Sequence, residues 1–403
     1  MAKLSHFPAS SKPAIDRKIV PLMQGYNFIV LSTMTNADSI PVPGEAPLTP
    51  LSAAVHSQAK NLRIFCGVRT PGSFDEMSRE IDALFSSAGI FDLGWRGKIL
   101  VTGSDRLRWL NGMVTNTVQG LLEDEGNYSF LLNTQGRIQG DCYVYRRAND
   151  LILDTSRDQL PALMRHLDHY IIMDEVELIE VSESWTGLEL VGPQAHRILQ
   201  TLGLALSPAA LPSQNVQMST ARIGEIEITL IEAHQLLLPR YEIWFHPAKV
   251  LPIWEALKGA GASSVGLEAM ETLRVAEARP LYGVDLNDRD LPQETNQPRA
   301  LNFTKGCYLG QEIVERIRSR GKVHRQLRQF ALEGAVPPPP FELQNAEQVV
   351  GRVTSAASIS SVYLTGSFGL GFAREESLAR KSGIEYKEGT AIPLEGLPHI
   401  SNA

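Results

Sequence analysis

Cysteine is scarce in this sequence: three residues among 403, at Cys66, Cys142 and Cys307. No two stand in a CxxC spacing. That excludes a disulfide framework and a four-cysteine zinc or cluster site built within the chain. The scarcity suits a reducing compartment, and a cytoplasmic location is expected. Long apolar runs are also missing. None reaches the roughly 20 residues that span a bilayer, and residues 28–31 are too short for the apolar part of a signal peptide. No membrane partner is expected. Positive charge is not in excess either: the formal net charge is −7, which argues against generic nucleic-acid binding. No glycine-rich phosphate loop separates a strand from a helix, which argues against a dinucleotide-binding sheet.

What is present is enough apolar material, 43% of the residues, for two or three domains. Residues 1–47 read as an N-terminal extension. From there strands and helices alternate, with helical spacing at 73–88, 105–114, 159–170, 194–202 and 248–260 and strand-like runs between them. The stretches 91–181 and 187–275 share one rhythm of strand, helix, strands, helix, which points to a duplicated α+β unit within residues 48–325, with halves of about 48–185 and 186–325. Four consecutive prolines at 337–340 make a stiff connector. Strand-like runs at 348–354, 361–364 and 370–374, with glycine turns, then predict a small β-barrel over 326–403.

One octapeptide concentrates the chemistry: Lys305-Gly306-Cys307-Tyr308-Leu309-Gly310-Gln311-Glu312. A thiol close to a lysine and a helix N-terminus is expected to favour its thiolate. Cys66 and Cys142 lie among apolar residues and read as packing thiols. Residues 305–328 also carry Lys305, Arg316, Arg318, Arg320, Lys322, Arg325 and Arg328 against Glu312 and Glu315. That run fits either a solvated helix face or a docking site for an acidic partner or a polyglutamate tail. His166 and His169 have only a loose metal-ligand look, and no metal is expected.

The octapeptide resembles the K-G-C-Y-x-G-Q-E motif of the YgfZ family, folate-binding relatives of the glycine-cleavage T-protein that assist iron–sulfur enzymes. Other elements resemble the same superfamily in the same order. They are Thr49-Pro50-Leu51, Gly89-Ile90-Phe91-Asp92-Leu93 and Thr115-Asn116, then the stretch from Thr272 to Asp285, Pro292 with Glu294, and Gly351 to Ser355. The resemblance implies an α+β T-protein-like fold of two related domains plus a C-terminal small β-barrel, arranged around a channel for tetrahydrofolate or a derivative. It implies Tyr128 and Asp141 on the pteridine side, with Arg274 and Tyr282 also lining the channel. A carboxylate can hydrogen-bond or polarise a pterin, and an aromatic ring can stack on it.

The same resemblance implies that Cys307 is the functional thiol. Lys305 would favour its thiolate, and Gln311 and Glu312 would fix the loop or contact ligand. Covalent chemistry, a transient cluster ligand and mere shaping of the site all remain compatible with Cys307. Iron–sulfur enzymes or assembly proteins are the partners implied, because one cysteine cannot hold a cluster unaided. A folate-dependent aminomethyltransferase is the alternative, supported by the acidic position at Asp141. Against it, Leu238 stands where T-proteins place the glutamate that grips the pterin.

Overall fold

The computed structural model describes residues 46–204, 215–379 and 383–400. The expected extension at 1–47 therefore lies almost wholly outside the described residues. The chain first forms an antiparallel hairpin of β1 (Asn61–Phe65) and β2 (Val68–Ser73). Its two-residue turn, Cys66-Gly67, has positive φ at both positions, which matches the right-handed strand twist. A non-glycine residue there disguised the turn, and the sequence reading missed this hairpin.

Eleven strands follow in one sheet. In chain order they are β3 (Gly89–Asp92), β4 (Arg96–Thr102), β5 (Glu125–Leu132), β6 (Ile138–Arg146), β7 (Leu151–Ser156), β8 (Glu177–Glu180), β9 (Thr186–Val191), β10 (Val216–Ile223), β11 (Ile226–Glu232), β12 (Arg240–Phe245) and β13 (Ser263–Ser264). Their order across the sheet is β13-β3-β9-β12-β11-β10-β5-β6-β7-β4-β8. Reading outward from the β5·β10 junction, β5-β6-β7-β4 on one side mirrors β10-β11-β12-β9 on the other. The strand order is thus pseudo-symmetric about that junction. One strand breaks the symmetry: β3 precedes the first unit in the chain but pairs with β9 and β13 in the second.

Helices cover each half through one apolar face. Leu160, Leu163 and Leu167 of helix Leu160–Asp168 pack on the first half. Val250, Ile253, Trp254 and Leu257 of helix Val250–Gly259 pack on the second, at the i, i+3, i+4, i+7 spacing of a buried helical stripe. Strands β7 and β9 are buried along their whole length, because the sheet is also covered on its other side.

The C-terminal part is a closed barrel of β14 (Arg325–Gly334), β15 (Phe341–Asn345), β16 (Gln348–Ser360), β17 (Thr365–Arg374), β18 (Ile384–Tyr386) and β19 (Gly389–Pro393). The proline run bridges β14 and β15. The expected strand at 361–364 is instead the turn between β16 and β17. Its backbone bonds are local, Ser361 N–H to the Leu364 carbonyl at 3.1 Å, and the buried Leu364 that suggested a strand plugs a central apolar cluster.

Helix Leu267–Ala276 joins barrel to sheet. Gln329 of β14 donates to the carbonyls of Val275 and Ala276 at 2.8 and 2.7 Å, satisfying the helix end. Among the described residues, no helix is long and apolar enough to cross a membrane.

Candidate active site

The antiparallel register of β5 and β6 sets Tyr128 opposite Tyr143 and Phe130 opposite Asp141. Across this hairpin the Tyr128 hydroxyl donates to Asp141 Oδ2 at 2.6 Å. Gln159 Nε2 donates to Asp141 Oδ1 at 2.9 Å. Both carboxylate oxygens are therefore held. Burial first, then the Asp141 charge, pushes the Tyr128 phenol well up, so it remains a donor. Arg299 stacks on the Tyr128 ring, its guanidinium carbon 5.1 Å from the centroid.

Tyr128 and Asp141 line a cavity of about 110 Å³ together with Arg274, Arg96, Glu189 and Glu242, and with Arg240, Arg279, Arg299 and His234. Arg274 is buried. It donates to Asp285 Oδ2 at 2.6 Å, Glu271 at 2.9 Å and the Ser355 hydroxyl at 2.9 Å. Burial alone would lower its pKa, but Glu271 and Asp285 outweigh that and raise it. Its ion pair within the helix is with Glu271, three residues earlier.

Glu277 goes instead to Arg240, which it accepts from at 2.6 Å, while Glu189 accepts from the same guanidinium at 2.5 Å. All three side chains are buried. Arg240, Glu242 and Trp244 alternate along β12 and so share one face. The Trp244 indole donates to Glu242 Oε2 at 3.0 Å. Burial, followed by Asp154, pushes Glu242 up to about 7. Leu238 does not line this cavity. It is buried in the apolar cluster with Phe91 and Met270, and Arg240, two residues on, supplies the polar wall.

Tyr282 lines a second, more apolar cavity of about 230 Å³ beside Cys66, Asp158, Leu267 and Val284. Phe65, Glu271, Arg274 and Leu281 line both cavities, so the two adjoin. Burial pushes both the Tyr282 phenol and the Cys66 thiol up. Cys66 and Cys142 are buried and Cys307 is exposed.

The Cys307 loop lies apart from both cavities. Lys305 is fastened to the backbone of another segment. Its ammonium donates to the carbonyls of Asn111, Val114 and Asn116 at 2.6, 2.7 and 2.6 Å. Burial pulls the amine down to about 7, although only the charged form offers a hydrogen to all three oxygens. Tyr308 is buried in a cluster with Tyr128, Leu286 and Leu327, and the Leu309 N–H donates to the Gly112 carbonyl at 2.9 Å. Gln311 turns back on the loop, Oε1 accepting from the Tyr308 N–H at 3.3 Å. Glu312 is exposed in the first turn of helix Gln311–Arg320. The loop is thus pinned on both sides of an exposed thiol. No cluster of metal-binding side chains occurs among the described residues.

The structure brings Tyr128, Asp141 and Arg274 to one cavity, puts Tyr282 in its neighbour and places the octapeptide elsewhere. The reading missed Arg240, Glu242, Glu189, Arg279, Arg299 and His234. A signal existed for two of them: in the run from Arg240 to Phe245, charges alternate with bulky apolar residues where a buried strand would be apolar throughout.

Residues 53–305 match the family described as the GCVT N-terminal domain. An aminomethyltransferase of a Nostoc species is 28% identical over 327 residues, covering 76% of this chain and 83% of its own. One of Rubrobacter xylanophilus is 27% identical over 291 residues, covering 71% and 76%. Among solved structures, the glycine cleavage system aminomethyltransferase T from Bartonella henselae superposes with a TM-score of 0.77 at 18% identity. It covers 89% of this chain and all of its own. That likeness is one of fold.

Proposed function

Because the chain belongs to the family of the GCVT N-terminal domain, and so to the T-protein superfamily, we propose that it is a tetrahydrofolate-binding accessory protein of the YgfZ type. Its task in this reading is to support assembly or repair of iron–sulfur enzymes. Folate occupies the cavity of Tyr128, Asp141 and Arg274, with Tyr282 at its apolar annex. Cys307 faces the client. The observation that carries the reading is the Cys307 loop: an exposed thiol held by Lys305, Tyr308 and Leu309, outside the cavity. A thiol placed so serves an encounter with another protein, and a cluster ligand shared with a partner meets the need for further ligands.

Calorimetric titration with tetrahydrofolate tests this, using wild type, Asp141→Ala and Cys307→Ala. Binding that is weakened by Asp141→Ala and unaffected by Cys307→Ala supports two separate working parts. Loss of folate binding in Cys307→Ala sinks the division.

An aminomethyltransferase is the second reading. It is favoured by the carboxylate of Asp141 within the cavity and by the names of the relatives. Release of ammonia from an aminomethylated lipoyl carrier in the presence of tetrahydrofolate would establish it. Leu238 opposes it: buried in the apolar cluster, it supplies no acceptor for a pterin's N–H groups where T-proteins place a glutamate, so a pterin here is held differently.

A further inference from the structure

Hydrogen-bonding capacity around the main cavity is lopsided. Its acceptors are largely engaged: Asp141 by Tyr128 and Gln159, Glu271 by Arg274, Glu189 by Arg240 and one oxygen of Glu242 by Trp244. Its donors are not. Arg299 Nε is buried without a partner, as are His234 Nε2 and Trp95 Nε1. Arg279 comes no nearer to a carboxylate than 3.8 Å at Glu277 and 3.9 Å at Glu189, the two acids that Arg240 already holds.

Arg240 thus takes the close contacts of Glu189 and Glu277, and Arg279 and Arg299 are left, among the described residues, without a carboxylate at hydrogen-bonding distance. Burial and the neighbouring Arg240 pull the Arg279 guanidinium below its ordinary value. Burial, then Arg299 and Arg279, pulls His234 down to about 4, leaving it neutral. A partly buried guanidinium without a close acceptor favours an incoming anion at the neck.

Place and shape define that anion. Arg279 and Arg299 line both the main cavity and an adjoining one of about 240 Å³, alongside Thr295, Gln297 and Gln329. They stand at the neck between the two. A guanidinium pairs with a carboxylate through two parallel N–H bonds, and the glutamyl end of a folate carries carboxylates. We infer that Arg279 and Arg299 form a carboxylate-binding neck, which holds a glutamyl carboxylate of the folate while the rest of its tail leaves through the adjoining cavity. The glutamyl assignment rests on the folate reading; the arginine pair's readiness for an anion does not.

Three probes separate the two: tetrahydrofolate, tetrahydropteroate, which lacks the glutamate, and p-aminobenzoylglutamate, which lacks the pterin. Each is titrated into wild type, Arg279→Gln and Arg299→Gln. Wild type is expected to hold tetrahydrofolate about tenfold or more tighter than tetrahydropteroate. Each variant should erase most of that preference and leave tetrahydropteroate binding within about twofold. Equal wild-type affinity for the two pterin compounds overturns the neck without any variant, while leaving the folate reading standing. If neither pterin compound binds but p-aminobenzoylglutamate does, in an arginine-dependent manner, the folate reading falls and the neck stands. If none of the three binds, both fall.

Discussion

Lys305 Nζ lies 2.6 Å from the carbonyl oxygen of Asn116, so the cation closest in sequence to Cys307 is bound to the backbone of another segment. It fastens the loop to the turn after helix Arg106–Asn111. Lys305→Met strands three carbonyls and should cost about 2–3 kcal/mol in urea unfolding. Alkylation of Cys307 should not slow in the variant. Slower alkylation at unchanged stability would instead return Lys305 to the role of thiolate partner.

Arg240 pairs with both Glu189 and Glu277 in a buried triad. Arg240→Leu leaves two acids without their partner, and a loss of about 3–5 kcal/mol is expected. Adding Glu189→Gln and Glu277→Gln to the same chain should recover much of it. A triple variant no more stable than Arg240→Leu alone would show that packing, not charge, is at stake.

Glu242 gives a pH signature. Its folded-state value is about 7 against an ordinary 4.5, so the folded protein binds a proton more tightly than the unfolded chain. That contribution is fully present below about pH 4.5 and is lost as pH rises through 7. Asp154, Arg96, Lys98 and Glu189 set the local field. Over this window stability should fall by about 2 kcal/mol more in wild type than in Glu242→Gln, discounted for partial solvent access. Parallel pH profiles of the two melting temperatures would falsify the assignment.

Gly310 and Gly306 flank the exposed thiol and make a matched pair. Gly310 has φ of +80°, and a Cβ there would sit 2.5 Å from the Asn133 carbonyl oxygen. A Cβ on Gly306 would meet nothing within 4 Å. Gly310→Ala should cost about 1–3 kcal/mol and speed amide exchange across 305–310. Gly306→Ala should do neither. Equal effects of the two would show that the loop is not seated on the 133–137 turn.

Periodicity made the helices and the inner strands legible, because each of those elements buries one stripe or both faces against its own half. The barrel was legible through its glycine turns. Residues whose meaning depends on distant partners were not. Arg240 reads as a strand residue until Glu189 and Glu277, 51 and 37 positions away, are placed beside it. Lys305 reads as a thiol's neighbour until carbonyls 189 to 194 positions back take its hydrogens. Tyr128 and Asp141 were found by resemblance, and a hairpin register of local contacts joins them. The Cys66-Gly67 hairpin was hidden because a left-handed cysteine is rare.

Strand β3 carries a consequence for the order of events on the ribosome. The first half, β4 to β8, holds its own neighbours, and it can close once residue 180 has emerged. β3 is synthesised earlier yet has no partner until β9 at 186–191, and it gains its outer neighbour only at 263–264. A nascent chain therefore carries an unpaired apolar strand, Gly89–Asp92, for roughly a hundred residues of synthesis, a span of seconds at ordinary translation rates. That exposed edge is where a chaperone has most to do.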